Sequence, residues 1–142
     1  MKTSEKGIKL IETFEGFSAI PYPDVGGKNT VGYGHLIKDG EIFSSITEDQ
    51  AAILLGADLL YAENAVNNAV LVTLNQNQFD ALISFVFNLG APNFRSSHLL
   101  AAINNSDFST AAGEFCKWDH CNGVVVEGLL RRRLAESALF SS

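Results

Sequence analysis

Residues 13–35 read TFEGFSAIPYPDVGGKNTVGYGH, and the change of pattern inside this stretch decides the fold. Before it, Ile8, Leu10, Ile11 and Phe14 recur at helical spacing, which predicts a helix from about Thr3 to Glu15 with Gly16 as its stop signal. After it, residues 16–46 hold Gly16, Gly26, Gly27, Gly32, Gly34 and Gly40 and two of the three prolines. The alternation from Thr30 to His35 favours short antiparallel strands over helix. The stretch also sets Glu15, Asp24 and Thr30 in the spacing Glu-x8-Asp-x5-Thr. Two carboxylates in different environments with a small hydroxyl residue are what a glycosidase places around one scissile bond.

Outward from that stretch the chain reads as helices. Thr47 and Gln50 form a capping box before a long helix that carries Ile53, Leu54, Ala57, Leu60 and Tyr61 and extends to about Val70. Asn75 and Gln78 repeat the signature before Phe79–Phe87, a segment apolar on nearly every face and therefore the expected central buried helix. Gly90 and Pro92 end it. Further helices are expected near Ser97–Asn104, Asp107–Trp118 and Glu127–Leu139. The predicted class is α+β, mostly helical. A small β-containing lobe (about 16–46) is joined by a connecting helix (about 47–70) to a larger helical lobe (about 71–142 with 1–15), and a cleft is expected between the lobes.

The 142 residues suit one domain with a substantial core, and 46% hydrophobic content with ten Phe excludes a disordered chain. No apolar run approaches the roughly 18–20 residues that span a bilayer, and residues 1–17 lack the order of a secretory signal. The expectation is a protein made in the cytoplasm without stable membrane insertion. A net charge of −6 disfavours nucleic-acid backbone recognition, which needs a basic surface. Arg131, Arg132 and Arg133 point in different directions on a helix and so make no basic stripe. Cys116, His120 and Cys121 form C-x3-H-C, an incomplete ligand set with no familiar zinc spacing. Buried or paired structural cysteines are expected there, and neither metal nor cofactor.

Each member of the trio also has an ordinary reading. Glu15 could be an exposed helix-end residue, Asp24 in Pro23-Asp24-Val25-Gly26-Gly27 a turn aspartate, and Thr30 a strand residue. A carboxyl in the last turn of a helix, however, faces the negative end of the macrodipole and is flanked here by Phe14 and Phe17. Both influences favour the protonated form that donates to a leaving glycosidic oxygen, and a neighbouring arginine would oppose them. Asp24 and Thr30 could hold a water on the opposite sugar face.

Four collinear motifs add weight: EGF-x5-PDVGGKNTVGYGHLI, LNQNQFDALISFVFNLG, Phe94-x2-Ser97-x-Leu99-Leu100 and GLLRRRLAE. From about Ile8 to Phe140 their order and spacing resemble the phage-type lysozymes, the endolysin family of glycoside hydrolases. The resemblance implies hydrolysis of the β-1,4 bond between N-acetylmuramic acid and N-acetylglucosamine in peptidoglycan. Glu15 would be the general acid, Asp24 the second carboxylate and Thr30 the hydroxyl that positions water. Inversion, as the resemblance implies, needs carboxyls roughly 6.5–9.5 Å apart. His35 matches the histidine of the family's Gly-x-Gly-His strand, with a hydrogen bond near the acid and a structural role both open. Tyr33 and Leu36 are expected to line the sugar site, and Phe87, Asn88 and Gly90 to present a helix end to the glycan, Asn88 reading N-acetyl groups. Ser97 is a further candidate of that kind. Arg132 is the arginine expected near Glu15, whereas Arg131 and Arg133 serve packing or solvent contacts; Phe115 and Trp118 read as core.

Two departures stand out. The chain is acidic where many relatives are basic, and Glu127 precedes Gly128 where relatives often place Pro. A monomer reaching the wall through a holin or another delivery system is the expectation, with a lytic transglycosylase or a non-catalytic glycan-binding or virion structural module as the competing functions.

Overall fold

The computed structural model describes residues 1–121 and 123–142, with the side chain of Cys121 outside the description. The elements run α1 (Glu5–Glu15), β1 (Ser18–Pro23), β2 (Asn29–Gly32), β3 (His35–Leu36), α2 (Glu48–Ala69), α3 (Gln76–Leu89), α4 (Ala91–Arg95), α5 (His98–Asn104) and α6 (Phe108–Glu114). A 3-10 turn (Phe115–Lys117), β4 (His120–Cys121), β5 (Val124–Val125) and α7 (Glu127–Phe140) complete them. The architecture is the expected α+β, mostly helical class. No helix among the described residues is long and apolar enough to cross a membrane.

The chain divides into two compact units, one of Lys9–Leu60 and the other of Met1–Ile8 with Tyr61–Ser142. In the Lys9–Leu60 unit, β1, β2 and β3 form an antiparallel sheet in that order, with Tyr22 opposite Thr30, Thr30 opposite Leu36 and Val31 opposite His35. Gly32 and Gly34 both have positive φ, so the chain reverses between β2 and β3 at no steric cost. Ile11, Val31, Ala51, Leu55 and Leu59 are buried. The Thr47–Gln50 box opens α2 in both directions: the Thr47 amide donates to Gln50 Oε1 at 2.9 Å and the Gln50 amide to Thr47 Oγ1 at 3.1 Å.

The second unit is built around α3. Asn75 and Gln78 close the expected capping box, and every residue from Phe79 to Val86 is buried. Helix α7 packs against α3. The Phe85 ring meets Phe94, Phe115 and Trp118 edge-on with centroids 5.7–6.2 Å apart, so Phe115 and Trp118 join the core cluster. The first residues of the chain are tied to this unit by buried carboxylates. Asp80 accepts from the Ser4 amide at 3.0 Å and from the Ser4 hydroxyl, while Glu63 accepts from the Thr3 amide at 2.6 Å. Two elements escape the sequence reading: α4, a single turn directly after Gly90, and the β4–β5 pairing of His120 with Val125 and Cys121 with Val124.

Candidate active site

Glu15 is the last residue of α1. The Gly16 amide donates to the Glu12 carbonyl at 2.9 Å, and the positive φ of Gly16 turns the chain out of the helix into β1. The Glu15 carboxyl lies against the backbone of Gly34, in the turn between β2 and β3. A Cβ at Gly34 would stand 2.7 Å from Glu15 Oε1 and 3.3 Å from its Cδ.

Asp24 and Thr30 are joined through the backbone of Lys28. The Lys28 amide donates to Asp24 Oδ1 at 2.8 Å, and the Lys28 carbonyl accepts from the Asp24 amide at 2.8 Å. That same carbonyl accepts from Thr30 Oγ1 at 3.0 Å. The Asp24 carboxyl, partly exposed, is therefore held through Oδ1, with Oδ2 outside these turn bonds. The buried Thr30 hydroxyl gives its proton to Lys28, so toward any further group it acts as an acceptor. Glu15, Asp24 and Thr30 thus lie in one compact unit, on the end of α1, the β1–β2 turn and β2.

The same unit holds Tyr33 and Leu36, expected to line the sugar site, and His35. Tyr33 is partly exposed and its ring meets that of Phe17 at 5.6 Å. Burial, then the negative charges of Glu12, Glu48 and Asp49, holds the Tyr33 phenol above its ordinary range. Leu36 is exposed. His35 is only 3% exposed, and both ring nitrogens are engaged. Nδ1 lies 2.8 Å from Asp58 Oδ2 on α2, and Nε2 lies 3.0 Å from Glu41 Oε1. Burial pulls the imidazole toward neutrality, but the hydrogen bonds and charges of Asp58 and Glu41 outweigh it and raise its pKa above the usual value. Through these two contacts His35 ties β3 and the following loop to α2.

Phe87, Asn88, Gly90, Ser97 and Arg132 lie in the other unit. Phe87 and Asn88 occupy the last turn of α3, both partly exposed. Asn88 Oδ1 is withdrawn from solvent and has no hydrogen-bond partner among the described residues, an amide with capacity to spare. Gly90 caps α3 with its amide on the Val86 carbonyl at 2.8 Å. Ser97 is a buried N-cap of α5, donating to the Phe94 carbonyl at 2.7 Å and accepting from the Leu100 amide at 3.0 Å. Those two bonds account for its hydroxyl proton and one of its lone pairs.

The arginine run is less exposed than a solvated helix end would be. Arg132 is buried and donates through Nε to Ser84 Oγ at 3.2 Å and through Nη2 to the Ser84 carbonyl at 3.3 Å. Arg133 is wholly buried, with Nε 2.6 Å and Nη2 2.9 Å from the carboxylate of Glu136, and its guanidinium lies 5.2 Å from the Phe85 ring centroid. Glu136 also accepts from Ser84 Oγ at 2.5 Å. Burial pushes the Glu136 carboxyl upward, while Arg133 and Arg132 oppose that shift. Sequence reasoning missed Ser84, Glu136 and the depth of Arg133. The available signal was the position of Glu136 three and four residues after the two arginines, facing the same side of α7.

Cys116 is partly exposed, and burial followed by the charge of Asp119 raises its thiol pKa. The second cysteine of the C-x3-H-C pattern lies outside the described side chains. Among the described residues no three His, Cys, Asp or Glu side chains are grouped to hold a metal ion.

Comparison with known proteins bears on what this arrangement does. The phage lysozyme family model matches residues 12–136. The endolysin of Bacillus phage PZA is 42% identical over 144 residues, which take in all of this chain and 56% of that protein, so the chain spans little more than half of that relative. The endolysin of Salmonella phage P22 is 39% identical over 146 residues, covering all of this chain and 99% of its own. Among solved structures, the muramidase domain of SpmX from Asticaccaulis excentricus superposes with a TM-score of 0.91 at 38% identity, covering 99% of this chain and 98% of that one.

Proposed function

Because the chain belongs to the phage lysozyme family, we propose that it is a peptidoglycan muramidase. It hydrolyses the β-1,4 bond between N-acetylmuramic acid and N-acetylglucosamine with inversion at the anomeric carbon. The single observation that carries this reading is the intact trio of Glu15, Asp24 and Thr30 on α1, the β1–β2 turn and β2 of one compact unit, inside the family match.

In the proposed reaction Glu15 gives its proton to the glycosidic oxygen as the bond to the anomeric carbon breaks. Asp24, through the oxygen its turn leaves unused, takes a proton from a water on the opposite face of the sugar as the oxygen of that water bonds to the anomeric carbon. Thr30 contributes an acceptor lone pair to that water, because its own proton is committed to the Lys28 carbonyl. General acid and base assistance of this kind contributes roughly 10²–10⁴-fold per group. Tyr33 and Leu36, and separately Phe87 and Asn88, are proposed to contact glycan, the partly exposed Asn88 carrying an amide that can both donate and accept toward an N-acetyl group. For His35, Gly90 and Ser97 the hydrogen bonds described above favour a role in holding backbone over one in touching sugar. Access to the wall through a holin or another delivery system belongs to the same proposal.

A lytic transglycosylase needs one acid and base and no catalytic water, so a fixed Asp24–Thr30 pair favours the hydrolase. A binding or structural module needs neither. Mass analysis of muropeptides released from purified peptidoglycan separates the three. Reducing muramic ends are expected, whereas anhydromuramic ends or no release at all would overturn the assignment.

A further inference from the structure

We propose that Gly34 is a positioning residue for the catalytic carboxyl: its missing side chain leaves the slot in which the Glu15 carboxyl lies. The proposal rests on the reading of Glu15 as the acid. Gly34 has φ +78°, and that alone favours glycine. The same is true of Gly40, with φ +88°, yet a Cβ at Gly40 would meet nothing within 4 Å. At Gly34 the three nearest atoms all belong to one side chain, Glu15 Oε1 at 2.7 Å, Cδ at 3.3 Å and Cγ at 3.5 Å. A Cβ cannot coexist with the first of these, so one partner must move. The Gly34 backbone is fixed by the neighbouring β2–β3 pairing of Val31 with His35 and by the clamp on His35 itself. The Glu15 side chain turns about single bonds where the paired backbone does not, and it therefore yields.

The consequence is specific. A side chain at residue 34 displaces the proton donor while sheet and helix stay in place. A donor moved by about 1 Å loses on the order of 10²-fold in the chemical step. Substrate binding, which depends on the rest of the site, is affected much less.

The test uses the whole protein and four variants, Gly34→Ala, Gly34→Asn, Gly40→Ala and Glu15→Gln, with kcat and KM measured on soluble glycan chains and melting temperature followed by circular dichroism. Gly34→Asn carries the same Cβ but tolerates positive φ better than Ala, so it keeps the test open if the alanine variant folds poorly. Both Gly34 variants are expected to lose about 10²-fold in kcat with KM within about threefold of wild type. Gly40→Ala is expected to lower the melting temperature as Gly34→Ala does while keeping its kcat. If both Gly34 variants stay within about twofold of wild-type kcat while Glu15→Gln is inactive, the positioning role falls and the reading of the acid stands. If Glu15→Gln is as active as wild type, both fall.

Discussion

Replacing Asp58 by Asn tests the His35 clamp in a way that pH can dissect. The substitution keeps the shape of the side chain but removes the charge facing His35 Nδ1 across 2.8 Å. Both partners are largely shielded, with side-chain exposures of 4% for His35 and 20% for Asp58, so solvent screens the pair weakly. A hydrogen bond between charged groups contributes about 1.5–3 kcal/mol. In a domain of this size that corresponds to a fall of roughly 3–12 °C in melting temperature, at 2–4 °C per kcal/mol. The sign of the pH dependence follows from the direction of the shift. The folded-state pKa of His35 is raised above its ordinary value near 6.5, so the stabilisation is complete below pH ~6.5 and is lost as pH rises through the raised value. At the acid end the opposite holds for Glu41, whose pKa is lowered by the Lys38 amide first and by His35 second. Its contribution is present above the ordinary carboxylate value and is lost as pH falls through the lowered one. Urea unfolding of wild type and Asp58→Asn at pH 5.5 and pH 9.5 should therefore show a large difference at the first pH and a small one at the second. Equal differences at both, or less than about 0.5 kcal/mol at pH 5.5, would refute the clamp.

Two further substitutions probe the helical unit. Gly7→Ala would stabilise an ordinary exposed helix by about 0.5–1 kcal/mol, but here the added methyl meets Asp80 Cγ at 2.7 Å and Thr3 Cγ2 at 2.8 Å. We expect a loss of about 1–3 kcal/mol in urea unfolding instead, and a stabilised variant would contradict the close approach. Glu136→Gln leaves the buried Arg133 without its counter-charge, at a cost of about 3–5 kcal/mol, whereas a paired Arg133→Met/Glu136→Leu change recovers most of it. A double variant no more stable than Glu136→Gln alone would argue against a charge that needs its partner.

What the sequence disclosed was local in origin. The Thr47–Gln50 and Asn75–Gln78 boxes announced two helix starts because each is closed by residues three apart. The glycines around Tyr33 announced a turn because positive φ is written in the residue type itself. The run Phe79–Phe87 announced the buried helix because its apolar surface has no polar face to turn outward. What stayed hidden depends on residues distant in the chain. Nothing near His35 indicates that Asp58, 23 residues on, and Glu41 occupy both its nitrogens. The peptide of Lys28 joins Asp24 to Thr30 through backbone atoms, which carry no signature in the sequence. Arg133 reads as serving packing or solvent alike until α7 is packed against α3 and its guanidinium is enclosed with Glu136. The strands β4 and β5 are two residues each, too short for alternation to register.

The most direct test of the central claim is the release of muropeptides from purified peptidoglycan by wild type and by Glu15→Gln, side by side, with both shown to be folded. Reducing muramic ends from wild type and a rate at least about 10²-fold lower for the variant are the predicted result. Equal release by the two proteins would contradict the account at its root.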